Sequence, residues 1–193
     1  MDFIAILVKL ASDRKIGACR PVWLVQVTDA LIKSLEQSQG YLTKALDGLT
    51  QEEAAWRPAA ESNSIAFILW HVTRVEDFFV NRVIQRQVEL YEAEGWREKL
   101  GTPAKDTGFE YTFEQLQAWP VPKLEVLRGY TDSARKRTLA LLNSIAPERL
   151  SELARPDRSP DSIGDILCRI TTEIALHTGQ IAYLRGIQRG MNK

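Results

Sequence analysis

The chain has 193 residues, of which 45% are hydrophobic and 26% are charged, the balance of one globular domain. Its 25 basic and 25 acidic side chains cancel to a formal net charge of zero, which argues against a nucleic-acid partner and against an acidic disordered tail. Two cysteines are too few for a disulfide framework.

A short apolar run opens the chain as MDFIAILVKL and is followed at once by Asp13, Arg14 and Lys15. A secretory signal needs a basic region before its apolar run, and a membrane-spanning helix needs about 20 apolar residues. We therefore expect a cytoplasmic protein without membrane contact, in which residues 1–20 form an extension or a short helix.

The first two helices are predicted over residues 21–46 and 64–88, where apolar residues recur at helical spacing. Pro21 suits a first helical turn and Gly48 suits a stop. The second helix can be capped by Ser62, Asn63 or Ser64. Its stripe, which we expect to face the core, consists of Phe67, Ile68, His71, Val75, Phe78, Phe79 and Arg82.

The last two helices are predicted over residues 123–145 and 162–188. Pro147 ends the first of them, because a residue before proline avoids helical dihedral angles. The final helix can be capped by Asp161 or Ser162. Its apolar stripe consists of Ile163, Ile166, Leu167, Ile170, Ile174, Ile181 and Leu184.

Four long helices without strand signals predict an all-α protein, a four-helix bundle over residues 21–190. The connections at 49–61 and 89–121 are longer than usual. We expect a short helix over 92–100 and irregular structure over 101–119. Long loops on a rigid bundle often shape a binding site.

The only two histidines of the chain fall on the stripes of predicted helices. His71 lies between Phe67 and Val75, and His177 follows Glu173 by one turn, so that pair shares a face. Burying a carboxylate and two imidazoles is costly unless they are paired or coordinated. Two histidines and a carboxylate commonly bind zinc or non-haem iron, so His71, Glu173 and His177 are candidate metal ligands.

Simpler interpretations stay open beside the metal site. A core histidine is more often a packing residue than a ligand, and Glu173 could form an ion pair with Arg169 or Arg74. Near these groups, Arg74, Gln180 and Arg185 are candidates for contact with a substrate or for orienting the ligands. No phosphate-binding glycine loop, nucleophile elbow or CxxC motif is present, and we assign no catalytic residue.

Four motifs follow one another along the chain: WRP at 56–58, SIAFILWHVTRVEDF at 64–78, IGDIL at 163–167 and HTGQIAYLRG at 177–186. In order and spacing they resemble the motifs of the DinB/YfiT-like family of metalloenzymes. The resemblance covers roughly residues 21–190. It implies a four-helix bundle with up-down-down-up connections that is often dimeric.

The metal set of this family is three histidines, one on the second helix and an HxxxH pair on the last. His71 and His177 match two of them, and Glu173 stands in the place of the third. The resemblance implies a divalent ion (Zn, Ni or Fe) and a small-molecule substrate. The implied activity is either an S-transferase that uses a low-molecular-weight thiol, bound as thiolate, or a metal-assisted hydrolase.

Two other functions remain open at this point. The missing third histidine also fits a non-catalytic, dimeric helical bundle, a stress-related or ligand-binding protein with a degenerate metal site. A third possibility is a sensor whose long loops bind an apolar molecule. In the enzyme hypothesis no nucleophile from the protein is required, and the expected partners are the substrate and a second copy of the chain.

Overall fold

A computed structural model describes residues 26–104 and 106–190 of the chain. The expected extension at 1–20 and the start of the first helix lie outside these residues. Within them the structure is helical, without strands beyond one isolated bridge between Leu153 and Ser162, and the predicted all-α class is confirmed.

Eight α-helices occur in the described ranges, four of them long. In chain order they are α1 (Val27–Leu46), α2 (Gln51–Ala55), α3 (Ile65–Asp77), α4 (Leu90–Ala93), α5 (Trp96–Leu100), α6 (Phe113–Ala118), α7 (Leu124–Ser144) and α8 (Ile163–Arg189). A π-helical segment, Phe78–Ile84, continues α3, and a 3-10 turn, Pro147–Ser151, precedes the last connection.

Serine side chains begin two of the long helices, at predicted capping positions. Ser64 Oγ accepts from the Phe67 amide at 3.2 Å. Ser162 Oγ accepts from the Asp165 amide at 3.1 Å, and the Asp165 carboxylate accepts in return from the Ser162 amide at 2.9 Å. These reciprocal bonds satisfy amides that a helix start leaves without partners.

The connection between α3 and α7 differs from the prediction in two places. Residues 92–100, predicted as one helix, are divided between α4 and α5 by Glu94 and Gly95, and Gly95 has a left-handed conformation. The stretch 101–119 was predicted to be irregular but contains α6, whose Thr112 cap bonds reciprocally with Gln115. Six residues are too few for helical periodicity to be recognised.

Side-chain contacts set the direction of α3 relative to α7. The hydroxyls of Thr73 and Thr131 lie 2.9 Å apart. One turn further along both helices, Arg135 Nε donates to Glu76 Oε1 at 2.9 Å. Because residue numbers increase in the same direction along both helices, α3 and α7 are parallel.

The helix α8 runs antiparallel to α3. The rings of His71 and His177 meet with their centroids 5.0 Å apart. Further along α3, Phe79 lies beneath the guanidinium of Arg169, earlier on α8. The residue numbers change in opposite senses, so the two helices run in opposite directions.

The carboxyl end of α1 contacts both remaining helices. The Ala45 carbonyl accepts from Arg185 near the end of α8 at 2.9 Å, so α1 and α8 are parallel. The Leu46 carbonyl accepts from Arg128 near the start of α7, so α1 and α7 are antiparallel. The directions are up, down, down and up for α1, α3, α7 and α8, which confirms the predicted four-helix bundle.

The core has two apolar clusters along the bundle. One contains Trp70, Trp119 and Leu127, and the other contains Leu141 and Ile166. The side chain of Trp70 is fully buried. In the described ranges no helix combines the length and apolar character that crossing a membrane requires.

Candidate metal centre

A cavity of about 1140 Å³ opens between α3, α8 and the connection that precedes α6. The helical wall consists of His71, Arg74, Val75, Phe78, Phe79, Arg82, Arg169, Glu173 and His177. The connection contributes Val88, Glu89, Glu92, Arg97, Ala104, Thr107 and Phe109. Val88 and Phe109 are exposed apolar side chains, so an apolar ligand entering here would cover them.

The predicted core stripe of α3 forms much of this cavity wall. His71, Val75, Phe78 and Phe79 line the cavity, whereas Leu69 and Val72 on other faces are buried in the core. Almost every other side of α3 is covered by protein. The stripe was expected to face the core, and these four residues line the cavity at its edge, where Phe78 and Phe79 also pack against the second apolar cluster.

Glu173 and His177 also lie beside the core rather than within it. The buried line of α8 includes Ile170, Ile174 and Ile181, and the pair is rotated from it by about 100° per intervening residue. The Glu173 side chain is 37% exposed and that of His177 is 17% exposed. The premise that a carboxylate is buried among isoleucines is wrong, because Glu173 faces the cavity.

The distances among the three candidate ligands compare well with those around a shared ion. Two imidazoles that bind one zinc or iron ion at about 2.0–2.1 Å have ring centroids roughly 4.5–5.3 Å apart. The centroids of His71 and His177 are 5.0 Å apart. Two ligand atoms on such an ion lie roughly 2.9–3.4 Å apart, and His177 Nε2 lies 3.3 Å from Glu173 Oε2.

Each imidazole is oriented by an oxygen acceptor at Nδ1. His71 Nδ1 bonds to the carbonyl of Thr107, and His177 Nδ1 lies 2.8 Å from Gln180 Oε1. Because a carbonyl oxygen can only accept, these contacts favour a proton on each Nδ1, the tautomer that binds an ion through Nε2. This is the arrangement found around histidines that bind metals through Nε2.

Burial favours the neutral form of the first histidine. It lowers the pKa of His71 below its ordinary value, and the bond to the Thr107 carbonyl offsets part of that effect. Neutral imidazole is the form that binds a metal ion. The ring is therefore in its ligand state near neutral pH.

The segment that supplies the Thr107 carbonyl is fixed by its neighbours. Arg74 Nε donates to the Asp106 carbonyl at 3.0 Å, and the Asp106 carboxylate accepts from the Gly108 amide and from the hydroxyl of Tyr111. Gly108 has a φ of +77° and packs against Trp70. Nothing local in the sequence signals this role for Thr107, because its acceptor belongs to the backbone.

The Arg74 side chain holds together several groups behind the cavity wall. It is almost fully buried. Nη2 donates to Glu89 Oε2 at 2.7 Å, Nη1 donates to Tyr130 at 3.0 Å, and the guanidinium lies 3.8 Å from the centre of the Tyr91 ring. The alternative in which Arg74 pairs with Glu173 is not the observed one, because its bonds go to other groups.

The two remaining candidates, Gln180 and Arg185, make different kinds of contact. Gln180 contacts the ring of His177, the arrangement that would orient a ligand. Arg185 lies near the end of α8, where it bonds to the Ala45 carbonyl and pairs with Glu53 at 3.2 Å. Arg185 is outside the residues that line the cavity.

Two buried acids were not recognised from the sequence. Asp77 accepts from the amides of Leu90 and Tyr91 at 2.9 and 2.8 Å and from the hydroxyl of Tyr130 at 2.7 Å. It thereby fixes the start of α4, close to the cavity wall. Glu76 pairs with Arg135. Asp77 Oδ2 also lies 3.5 Å from Arg74 Nη1, and both acids are buried although they are adjacent on the helix.

As the side chains lie, no group of three or more His, Cys, Asp and Glu residues within 26–104 and 106–190 is arranged to hold a metal ion. The contacts between His71 and His177 and between His177 and Glu173 are formed separately. The donor types and both distances fit an ion, whereas the closed set of three remains a prediction.

These features define a class of protein: an up-down-down-up four-helix bundle in which two histidines from facing helices meet at a cavity. The chain matches the family model of the DinB superfamily over residues 34–181 and belongs to that superfamily. Members of this superfamily often bind a metal ion.

The comparison with solved structures concerns the fold alone. The chain is similar to the crystal structure of a conserved protein from Enterococcus faecalis, with 23% sequence identity and a TM-score of 0.75. The match covers 85% of this chain and 98% of that one. No curated protein matches the chain.

Proposed function

We propose that the protein is a metal-dependent enzyme in which His71, Glu173 and His177 hold a divalent zinc, nickel or iron ion. The observation that carries this proposal is the meeting of the two histidines, each with Nδ1 bonded to an oxygen, beside a carboxylate 3.3 Å from His177 Nε2. A packing role would need neither the acceptors nor the neighbouring carboxylate.

An S-transferase that uses a low-molecular-weight thiol agrees best with the size of the cavity. Sites for drug-sized molecules measure roughly 300–1,000 Å³, and this cavity of about 1140 Å³ has room for a thiol beside a second substrate. A hydrolase needs space for water and one substrate only. The described residues that line the cavity include no cysteine or serine, so the nucleophile would come from a substrate.

The roles of the chain's own groups follow from their positions. When bound, the ion would lower the pKa of a thiol and stabilise the thiolate. Gln180 and the Thr107 carbonyl keep the two imidazoles oriented. Phe78 and Phe79 provide an apolar wall that excludes water from the bound thiol and from the electrophile it attacks.

A second copy of the chain is the other proposed partner. Leu176, Tyr183 and Ile187 are exposed along the outer face of α8, away from the cavity-lining residues. Burial of this stripe in a homodimer would remove apolar surface from water. Light scattering of wild type and Tyr183→Glu tests it: the wild type should be a dimer and the variant a monomer.

Elemental analysis of protein purified without chelator tests the metal site directly. After loading with zinc, nickel or iron, we expect about one equivalent in the wild type, with loss in His71→Ala, Glu173→Ala and His177→Ala. Circular dichroism should show unchanged helical content. Thr172→Ala, exposed on the same helix, is the matched control. Wild-type occupancy below about a tenth of an equivalent after loading overturns the proposal.

Glu173→His distinguishes an active site from a degenerate one. It restores the three-histidine set implied by the family resemblance and should bind metal at least as well as the wild type. Metal binding by this variant alone would favour the non-catalytic alternative. Activity is followed as loss of free thiol in the presence of an electrophile, which should require the loaded ion.

A further inference from the structure

Three arginines within residues 26–104 and 106–190 have side chains that make no hydrogen bond or ion pair with the rest of the described chain. They are Arg82, Arg86 and Arg155, and all three line one hollow of about 480 Å³. We call it the arginine hollow. Arginines elsewhere in the cavity wall have acidic partners, in the pairs Arg74 with Glu89, Arg97 with Glu92 and Arg169 with Asp161.

The charge of the arginine hollow is strongly positive. Arg158 is its fourth guanidinium, and Asp157, the one acid among its described lining residues, already pairs with Arg158 at 3.3 Å. Four guanidinium groups and one carboxylate give a formal charge of +3. Guanidinium groups gathered without counterions repel one another, and their planar forks match the oxygens of phosphate and carboxylate groups.

A buried donor in the arginine hollow has no acceptor. Arg155 Nε is shielded from solvent and has no hydrogen-bond partner in the described chain. Buried polar atoms of this kind are rare in folded proteins, because an unmade hydrogen bond is costly. Within the described chain, the arginine hollow therefore lacks an acceptor for this N–H as well as carboxylate partners for three of its guanidinium groups.

The backbone at Arg86 gives a second reason to assign a role to its side chain. Arg86 has a φ of +56°, at the end of the π-helical segment, where the Gln87 amide bonds to the Asn81 carbonyl at 2.9 Å. Helices closed in this manner favour glycine at the left-handed position. The fold alone would be better served by glycine than by arginine.

The arginine hollow adjoins the large cavity. Phe78 and Arg82 line both. Arg82 follows His71 by eleven residues, which corresponds to about 16 Å along a helix. A single extended molecule could therefore contact the histidines at one end and the arginines at the other, with Phe78 and Phe79 beside its middle.

We propose that the arginine hollow binds the anionic end of the substrate, a group with two or more negative charges such as a phosphate or a dicarboxylate. The other end of the same molecule would carry the group that reaches the histidines. The position of that reacting end rests on the proposed function, whereas anion binding by the arginines does not.

Titration of chelator-treated protein with pyrophosphate and with citrate tests the site without a metal. Either anion should bind and raise the Tm, and the tighter of the two identifies the class. Arg86→Gly should keep or raise the Tm of the free protein, because glycine accepts the backbone conformation. It should nevertheless lose about tenfold or more in affinity, as should Arg155→Met. Lys136→Ala removes an exposed positive charge from α7 and should bind like the wild type.

Absence of binding by both anions overturns the proposal, and so does an equal loss in Lys136→Ala and Arg86→Gly. Metal binding without anion binding leaves the proposed function intact and removes this inference. Anion binding without metal binding does the reverse.

Zinc-loaded protein tests whether one molecule spans both regions. The probes are mercaptoalkyl phosphonates of increasing chain length. Their affinity should be highest when thiol and phosphonate are about 16 Å apart, and this maximum should disappear in Arg86→Gly. A flat dependence on length would show that the histidines and the arginines do not share a ligand.

Discussion

The two imidazoles of the candidate centre are oriented by different kinds of acceptor. His71 bonds to a backbone carbonyl, whose position depends on a whole segment of chain. His177 bonds to the side chain of Gln180, one turn further along the same helix. The second contact can be removed by one substitution without moving the backbone, so it offers the cleaner test of ligand orientation.

Gln180→Leu should weaken zinc binding by about 10–100-fold, the usual effect of losing a group that orients a metal-binding histidine. Gln180→Glu keeps an acceptor and should retain most of the affinity. Competition with a chromophoric chelator measures both variants. Equal affinity in Gln180→Leu and wild type would mean that His177 does not need this contact in order to bind.

Residue spacing predicted the proximity of Glu173 to His177, whereas the role of these residues as ligands stays a prediction. The four-residue separation placed Glu173 beside His177, and the position of His71 on the stripe of the second helix directed its ring toward the same pair from more than a hundred residues away. The exposure of Glu173 was not predictable from spacing, because its side chain is only about 100° around the helix from the buried Ile174. An angle of that size separates a side chain in the core from one that faces a cavity.

Among the structural elements, the connection between α3 and α6 determines the shape of the site. It supplies the Thr107 carbonyl and seven of the sixteen described residues that line the cavity. Its path depends on side-chain bonds to backbone carbonyls, from Tyr91 to Thr102 within the connection and from Arg74 of α3 to Asp106. The ends of the long helices could be predicted from local signals such as Ser162, whereas this path could not.

Periodicity also could not distinguish a core from a cavity. Phe78 and Phe79 continue the helical stripe of α3, but they line the cavity as well as packing against the core. An apolar stripe shows which side of a helix avoids water, and that side can be covered by protein or by a ligand. The π-helical segment that begins at Phe78 has no recognised sequence signature either.

Gly108→Ala should disturb this connection and the site together. A Cβ there would lie 2.7 Å from Cζ3 of Trp70 and 2.9 Å from Cζ of Phe67, in a left-handed conformation. Gly101→Ala is the matched control, because Gly101 has a φ of +66° and no atom within 4 Å of such a Cβ.

The control should lose about 1–2 kcal/mol of unfolding free energy from the backbone alone. Gly108→Ala should lose about 1–3 kcal/mol more from overpacking. Zinc affinity should fall only in Gly108→Ala, because Thr107 moves with its neighbour. Urea denaturation and chelator competition measure the two effects, and equal losses in both variants would contradict the role of packing.

In the molecule as a whole, a buried ion pair joins three of the four long helices. Arg135 on α7 binds both carboxylate oxygens of Glu76 on α3, at 2.9 and 3.2 Å. Its Nη1 also donates to Gln39 on α1 at 3.0 Å. The side chains of Glu76 and Arg135 are only 2% and 7% exposed. A pair so well shielded fixes the alignment of the parallel helices more than it adds to stability.

Removing one member of this pair should therefore cost more than removing both. Arg135→Leu leaves the Glu76 carboxylate buried without its partner and should lower the unfolding free energy by about 3–5 kcal/mol. The double variant Glu76→Leu/Arg135→Leu should be more stable than Arg135→Leu, because neither charge remains in the core. Urea denaturation measures each variant. Zinc affinity of the folded double variant should equal that of the wild type, since neither residue lines the cavity. Additive destabilisation would mean that each side chain contributes by packing alone, and the helices would then be aligned by the apolar core rather than by this pair.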